Sequence, residues 1–337
     1  MNKRLRTIIQ YVFFVGLGLF FAWLSLKNLN KEKLTQIKES IRNAEYWLII
    51  PVFGILIFSH YVRGLRWRLL IEPLGYSPSR SNAFYAVMIG YFTNQAVPRL
   101  GEVLKCTFLA RYENIPMDKL IGTIILERLI DALTLLLIFG ITLAIQPELY
   151  SQLIDVIFYS TNDEEGNKIS TWVIGLIVTG ILIVVIATWM ILKKKNLYDL
   201  VLLFKKIWRH IWEGISAIRH LQKRLQFIIL TVTIWSLYLA GGYIGFMALQ
   251  ETQNYGIKEA FAVLSAGSIG MIASPGGIGA YAYLLQQTMQ LYGLNDAIAL
   301  AFGWILWLVN TAVILIGGLV SFVAMPYFNK RKQPEQA

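Results

Sequence analysis

The sequence has few of the residues that a disulfide framework, a metal centre or a soluble surface requires. Its single cysteine, Cys106, excludes an internal disulfide bond. Its three histidines, His60, His210 and His220, share no ligand spacing, so we expect neither a metal nor a cofactor. Only 15% of the 337 residues are charged and 56% are hydrophobic, whereas a soluble domain carries about 25% charged residues. This composition excludes a soluble enzyme and predicts an integral membrane protein.

Acidic residues are also scarce, with 20 Asp and Glu against 31 Lys and Arg. The basic excess lies between the apolar runs, where the positive-inside rule accounts for it, so we expect no nucleic-acid partner. Lys3, Arg4 and Arg6 precede an apolar run with no small-residue cleavage site after it. We therefore predict a retained N-terminal helix rather than a removed signal peptide.

Long apolar runs predict an all-α polytopic membrane protein. A helix needs roughly 18–20 apolar residues to cross a bilayer. About six runs meet this length, at Ile8–Leu26, Trp47–Leu70, Leu120–Ile145, Trp172–Leu192, Leu225–Leu249 and Ala297–Val323.

Two shorter apolar stretches, Ala83–Val97 and Ala260–Ser274, predict re-entrant helical hairpins. Each spans about 22 Å as a helix, less than the hydrocarbon core of about 30 Å. Each ends at a proline- and glycine-containing tip and is followed by another short apolar piece, near Val103–Leu109 and Tyr281–Leu291. Such breaks are tolerated at depth only where protein or a polar cavity satisfies the backbone. The tip residues are Pro98, Gly101, Pro275, Gly276, Gly277 and Gly279.

The positions of the basic residues predict the orientation. If both hairpins return to the side on which they start, most of the 31 Lys and Arg residues fall on one side. The positive-inside rule then places both termini in the cytoplasm of a multi-pass protein.

A weak internal repeat supports the same organisation. When the sequence is compared with itself at a shift of 177 residues, Gly90 aligns with Gly267 and Pro98 with Pro275. In the topology predicted from the basic residues, the two aligned units start on opposite sides of the membrane. This predicts two inverted-topology repeats, a construction typical of transporters. We predict one membrane domain over 1–337, with an N-terminal helix at 8–26, repeat 1 at 45–146, an outer loop, spanning helix and cytoplasmic amphipathic helix at 147–224, and repeat 2 at 225–325.

Charged residues are concentrated in the first repeat, although each costs about 2.5–3.5 kcal/mol to insert. They are Arg99, Glu102 and Lys105 near the tip and Glu127, Arg128 and Asp131 on the next helix. Two interpretations stay open: ion pairs that only join hairpin to helix, or a polar cavity that binds a zwitterionic or anionic ligand. For the second, Arg99 is the best phosphate ligand because guanidinium binds phosphate in a bidentate fork.

Three further arginines, Arg63, Arg66 and Arg68, follow a spanning helix at its cytoplasmic end. Positive-inside bias accounts for them. The alternative is that they gather anionic head groups at the mouth of a cavity.

Four motifs in this order resemble one family. They are Arg66-Trp67, Pro98-Arg99-Leu100-Gly101-Glu102 with Lys105, Glu127-Arg128-x-x-Asp131 and Pro275-Gly276-Gly277-Ile278-Gly279. Over roughly residues 8–325 the chain resembles the lysylphosphatidylglycerol synthase transmembrane region, also called the flippase-like domain. Lys105 stands where that family more often has arginine.

The resemblance implies a protein of the bacterial inner (plasma) membrane, related to the domain that moves aminoacylated phospholipid between leaflets. In full-length synthases a separate cytosolic domain makes the lysyl-lipid. Because the sequence ends soon after its last predicted helix, we expect no transferase domain and no enzymatic activity.

We therefore expect a stand-alone lipid transporter whose partner is a phospholipid or another lipid-phosphate. Arg99 and Lys105 would bind the phosphate. A cationic group or coupling ion would be held by Glu102, Glu127 and Asp131. Arg128 would determine the ion pairs that rearrange between the inward and outward states. The alternatives are a transporter of a small organic anion, and a membrane scaffold or accessory subunit of envelope-lipid synthesis. An intramembrane lipid-modifying enzyme ranks last, because the carboxylates lack a nucleophile or metal beside them.

Overall fold

The computed structural model describes residues 3–27, 29–147 and 221–330, with side chains from Val15 onward. The chain divides into two units, and the first comprises residues 1–142 and 220–337. The second, residues 143–219, lies almost wholly outside the described ranges. The predicted outer loop, the span Trp172–Leu192 and nearly all of the amphipathic helix fall there.

All regular structure in the described ranges is helical, which confirms the all-α class. Ten α-helices are present in these ranges: α1 Lys3–Leu26, α2 Lys31–Arg42, α3 Ile49–Ile71, α4 Arg80–Ala96, α5 Leu100–Glu113, α6 Met117–Ile145, α7 Arg224–Phe246, α8 Ile257–Ala273, α9 Ala280–Leu291 and α10 Asp296–Lys330.

Four helical stretches are long and apolar enough to cross a membrane, namely Tyr46–Leu74, Met117–Ile145, Arg224–Phe246 and Asp296–Lys330. Large apolar side chains on these helices remain exposed, as at Ile125, which suits a surface in contact with lipid. The chain is thus a multi-pass membrane protein, and four predicted spans have helices of sufficient length. The first predicted span, within α1, and the total of six stay predictions.

The first short helix pair, α4 and α5, is a hairpin that breaks where the sequence predicts. Ser79 caps α4, its Oγ accepting the N–H of Asn82 at 3.2 Å. The carboxylate of Glu113, at the end of α5, accepts the N–H of Ser79 at 2.9 Å and its hydroxyl at 2.7 Å. The end of α5 therefore lies beside the start of α4.

The second pair, α8 and α9, has the same form. A single turn over Pro275–Gly277 separates the helices, and the hydroxyl of Tyr255 before α8 donates to the carbonyl of Tyr292 after α9 at 3.3 Å. The breaks at both tips are therefore observed. The depth of the two hairpins in a bilayer, and hence their re-entrant character, stays a prediction.

Glycines allow the two helices of each hairpin to approach closely. A Cβ added at Gly101 would overlap the carbonyl of Gly90, and the N–H of Gly101 donates to Asn94 Oδ1 at 2.9 Å. In the second hairpin, a Cβ at Gly270 would lie 2.6 Å from the Cα of Tyr281. Small residues serve this purpose in membrane helices generally.

The order of helices in the two halves is the same. Helices α3 to α6 and α7 to α10 each run long, short, short, long. A shift of 177 residues carries the bounds of α4 onto those of α8. This agreement fits the predicted repeat, whereas its inverted relation stays a prediction.

The two hairpin tips are in contact. The side chain of Gln95, at the end of α4, lies against Gly276 in the second tip, where φ is +59°. Trp307 of α10 donates to the carbonyl of Gly276 at 2.9 Å. Helix α1 also packs here, since a Cβ at Gly18 would lie 3.1 Å from the carbonyl oxygen of Ile278.

Candidate functional site

A buried carboxylate on α6 binds two arginines of α3. Arg63 and Arg66 are three residues apart and therefore share one face of the helix. Arg66 Nη2 lies 2.6 Å from Asp131 Oδ1, and Arg63 Nη1 donates to Asp131 Oδ2. The side chains of Arg63, Arg66 and Asp131 are 7%, 0% and 14% exposed, so these ion pairs are largely removed from solvent.

The second carboxylate of α6, Glu127, extends the ion pairs to the first hairpin. It lies one turn from Asp131, and its Oε1 is 3.5 Å from Arg66 Nη2 and 3.6 Å from Arg63 Nη1. Its Oε2 accepts from Lys105 Nζ of α5 at 2.7 Å. Lys105 also lies 4.0 Å from the ring centroid of Trp67. We call Arg63, Arg66, Lys105, Glu127 and Asp131 the ion-pair network.

The network combines three cations with two anions, so it holds one more positive than negative charge. Removing an ion from water costs several kcal/mol even after relaxation, and a buried ion needs good partners to offset this. Every charged group of the network has at least one partner of opposite sign.

A separate ion pair lies closer to the surface. Arg128 Nη2 is 3.0 Å from Glu102 Oε1, and their side chains are 50% and 34% exposed. Arg128 and Asp131, which are spaced to pair within one helix, therefore bind different partners. Exposed ion pairs contribute about 0–1 kcal/mol, so Arg128 and Glu102 are free to change partners at little cost.

Arg99, the predicted phosphate ligand, lies outside the network. It is exposed at the start of α5 with φ +69°, and it has no ion-pair or hydrogen-bond partner within the described residues. Lys105, the second predicted phosphate ligand, is bound to Glu127. Of the six residues predicted to form one cluster, Lys105, Glu127 and Asp131 belong to the network.

The structure corrects the prediction that Arg63 and Arg66 lie at the cytoplasmic surface. Helix α3 continues to Ile71 and turns both side chains toward α6, where they are buried. Arg68 is partly exposed; its Nε donates to the carbonyl of Pro78 at 2.6 Å, and its Nη2 is 4.0 Å from Glu72. The sequence did hold a signal for this contact: Arg63 and Arg66 lie three residues apart on one apolar helix, and two carboxylates, Glu127 and Asp131, lie four apart on another.

A cavity of about 410 Å³ adjoins the network. Its wall is mainly apolar, and at one end it meets Arg63, Asp131 and Arg128. Ligand pockets of this kind are typically about 300–1,000 Å³, mostly apolar, with a few placed polar groups. The residues that we name the apolar wall are Val52, Leu56, Leu135, Val263, Leu264, Met271, Ile272, Leu306 and Ile314.

Buried hydrogen-bonding atoms at the polar end of the cavity lack partners. His60 is 4% exposed, and neither ring nitrogen has a hydrogen-bond partner among the described residues. The same holds for Trp235 Nε1 and Arg63 Nε. Tyr91 and Tyr238 stand beside them, with the His60 and Tyr91 ring centroids 4.8 Å apart and the Tyr238 hydroxyl 3.4 Å from Arg63 Nη2. Buried polar groups normally have a partner, and the residues that carry these atoms are among those that line the cavity.

Neither His60 nor Trp235 was predicted from the sequence as a site residue. The sequence contains one indication for His60: it precedes Arg63 by three residues and therefore shares a helix face with it. Within the described ranges, no three His, Cys, Asp or Glu side chains are grouped as metal ligands would be.

These features define a polytopic helical membrane protein with a buried ion-pair network at the end of an apolar cavity. The chain matches the family of the lysylphosphatidylglycerol synthase TM region over residues 8–318, and it belongs to that family. It is also 28% identical over 128 residues to a UPF0104 membrane protein of Methanocaldococcus jannaschii. That alignment covers 37% of this chain and 36% of the relative, so it spans only about a third of the relative's length. No solved structure matches the chain.

Proposed function

We propose that the chain is a lipid transporter, flippase-like or scramblase-like, that binds a phospholipid or related lipid-phosphate and moves it between leaflets. The observation that carries this proposal is the cavity of about 410 Å³, which is apolar along most of its wall and polar where it meets the network. An amphipathic molecule complements both surfaces: its acyl chain covers the apolar wall, and its head group reaches the polar end.

The arrangement of charges supports movement of the head group rather than permanent storage. Arg63 and Arg66 each lie near two carboxylates, Asp131 at bonding distance and Glu127 at about 3.5–3.6 Å. The arginines can thus shift between acceptors without leaving either one unpaired. Arg128, half exposed at the same end of the cavity, is a cation that a passing phosphate can bind without breaking the network.

The two hairpins supply the moving parts in this proposal. Their tips touch at Gln95 and Gly276, and if the predicted repeats are inverted, they would alternate access around a site near the bilayer midplane. In this proposal the protein lies in the bacterial inner membrane with both termini in the cytoplasm, and it moves lipid without a covalent step. Because the family is named for a lysyl-lipid synthase, lipid is favoured over a soluble solute.

Filling the cavity tests this function. Gly242 lines it, and a Cβ there would lie 3.9 Å from Val263, so a larger side chain grows into the cavity without a backbone clash. We expect Gly242→Leu to slow movement of a fluorescent phospholipid across proteoliposome membranes by about tenfold, because the leucine occupies space that the acyl chain needs; a tenfold change in rate corresponds to about 1.4 kcal/mol in the barrier. Dithionite quenching of the outer leaflet measures the rate.

Gly54→Leu is the matched control, because Gly54 is an exposed residue of α3 with open space around it. It should move lipid as the wild type does. Equal rates for Gly242→Leu and wild type would contradict the cavity as the route. Uptake of a soluble organic anion without lipid movement would favour the solute carrier, and the absence of both activities would favour a scaffold.

The orientation makes a separate prediction. Cys106 is the only cysteine and is buried, so introduced thiols report on their own positions. Lys31→Cys, at the start of α2, should react with an impermeant maleimide in intact cells, whereas Asp118→Cys, at the start of α6, should react only after permeabilisation. The reverse pattern would place the termini outside.

A further inference from the structure

The polar end of the cavity carries an uncompensated positive charge. The ion-pair network has three cations and two anions, and the adjoining Arg128–Glu102 pair is neutral. Within the described residues, no other acidic side chain lines the cavity or contacts the network. An excess charge in a low-dielectric site is stabilised by a counterion, which here would have to be an anion.

The unpartnered atoms at this end suit the same ligand. Arg63 Nε and Trp235 Nε1 can only donate hydrogen bonds, and His60 can donate from one ring nitrogen. All three residues line the cavity. Donors on residues that line one cavity favour an acceptor-rich group, and hydrogen bonds to a charged acceptor are about twice as strong as neutral ones.

We infer that the site selects a lipid whose head group carries a single net negative charge on a phosphate diester, and discriminates against cationic aminoacylated lipid. This inference rests on the proposed function and names its substrate class. The phosphate accepts from Arg63, His60 and Trp235, and the acyl chain covers the apolar wall. A lysyl-lipid has a net positive charge, which would add to the existing excess rather than neutralise it.

The test measures binding of three lipids with the same acyl chains to the purified full-length chain in a neutral detergent. The probes are phosphatidylglycerol, zwitterionic phosphatidylcholine and lysyl-phosphatidylglycerol, and native mass spectrometry reports the bound fractions. We expect phosphatidylglycerol to bind about tenfold more tightly than either of the others.

Trp235→Phe removes the indole N–H and keeps an aromatic ring beside Tyr238. It should weaken the binding of phosphatidylglycerol by about tenfold or more, which is the loss expected for one hydrogen bond to a charged group. Trp47→Phe, at a side chain that is 63% exposed, should leave the affinity for phosphatidylglycerol unchanged. If Trp235→Phe elutes as an aggregate, His60→Phe makes the same test from α3.

The outcomes separate this inference from the proposed function. Equal binding of the three lipids, or tighter binding of the lysyl-lipid, overturns the anion preference and leaves lipid transport standing. Glycerophosphoglycerol, the same head group without acyl chains, is added as a competitor. Displacement of phosphatidylglycerol by this soluble diester would support the anion site and overturn the assignment to lipid, whereas failure to displace it supports both.

Discussion

Replacing Asp131 with asparagine is expected to destabilise the protein by about 3–5 kcal/mol, the cost of removing one partner from a buried ion pair. Both oxygens of Asp131 are engaged, one by each arginine of α3, and Arg66 is fully buried. Without this charge, two guanidinium groups face Glu127 alone, at 3.5 and 3.6 Å. Denaturation in mild detergent, followed by tryptophan fluorescence, measures the loss.

The matched control is Glu102→Gln, which removes a carboxylate from the exposed pair with Arg128. Its expected cost is below about 1 kcal/mol, because solvent already screens that pair. The double variant Arg63→Gln with Asp131→Asn should be more stable than Asp131→Asn alone, since it removes one of the two uncompensated cations. Stability of Asp131→Asn equal to that of wild type would mean that the network is solvated in the folded protein.

The helix breaks were predictable because their causes are local. Proline removes a helix hydrogen bond and clashes with the preceding turn, and Gly276, Gly277 and Gly279 all adopt positive φ, which glycine alone does without strain. Apolar run length, also a local property, gave the four long helices. The sequence therefore indicated both hairpins and the bounds of their tips within a few residues.

The membership of the ion-pair network was only partly predictable because it depends on which helices face one another. Spacings of three and four residues place Arg63 with Arg66, and Glu127 with Asp131, on single helix faces. They do not show that α3 and α6 turn these faces together. The same limit explains Arg99, which has the right chemistry for phosphate but lies exposed at the tip. Trp235 is a single polar residue in an apolar helix and forms no pattern of its own, and His60 shows only its spacing of three residues from Arg63.

Substitution of Gly101 with alanine is expected to open the first hairpin. The added Cβ would overlap the backbone carbonyl of Gly90 and lie 2.7 Å from Asn94 Cγ. A backbone carbonyl inside a helix cannot move aside as a flexible side chain can, so α4 and α5 must separate. We expect a loss of about 3 kcal/mol, the upper end of the usual cost of overpacking. The same denaturation measurement reports it.

The effect should also reach the network, because Lys105 lies one turn beyond Gly101 on the same helix face and binds Glu127 at 2.7 Å. Lipid movement should therefore fall together with stability. Gly122→Ala in α6 is the control: the residue is exposed, with open space where the Cβ would be. This change should stabilise the helix by about 0.5–1 kcal/mol through backbone entropy. Equal stability of Gly101→Ala and Gly122→Ala would contradict this prediction. It would mean that Lys105 is positioned by something other than the close contact of α4 with α5.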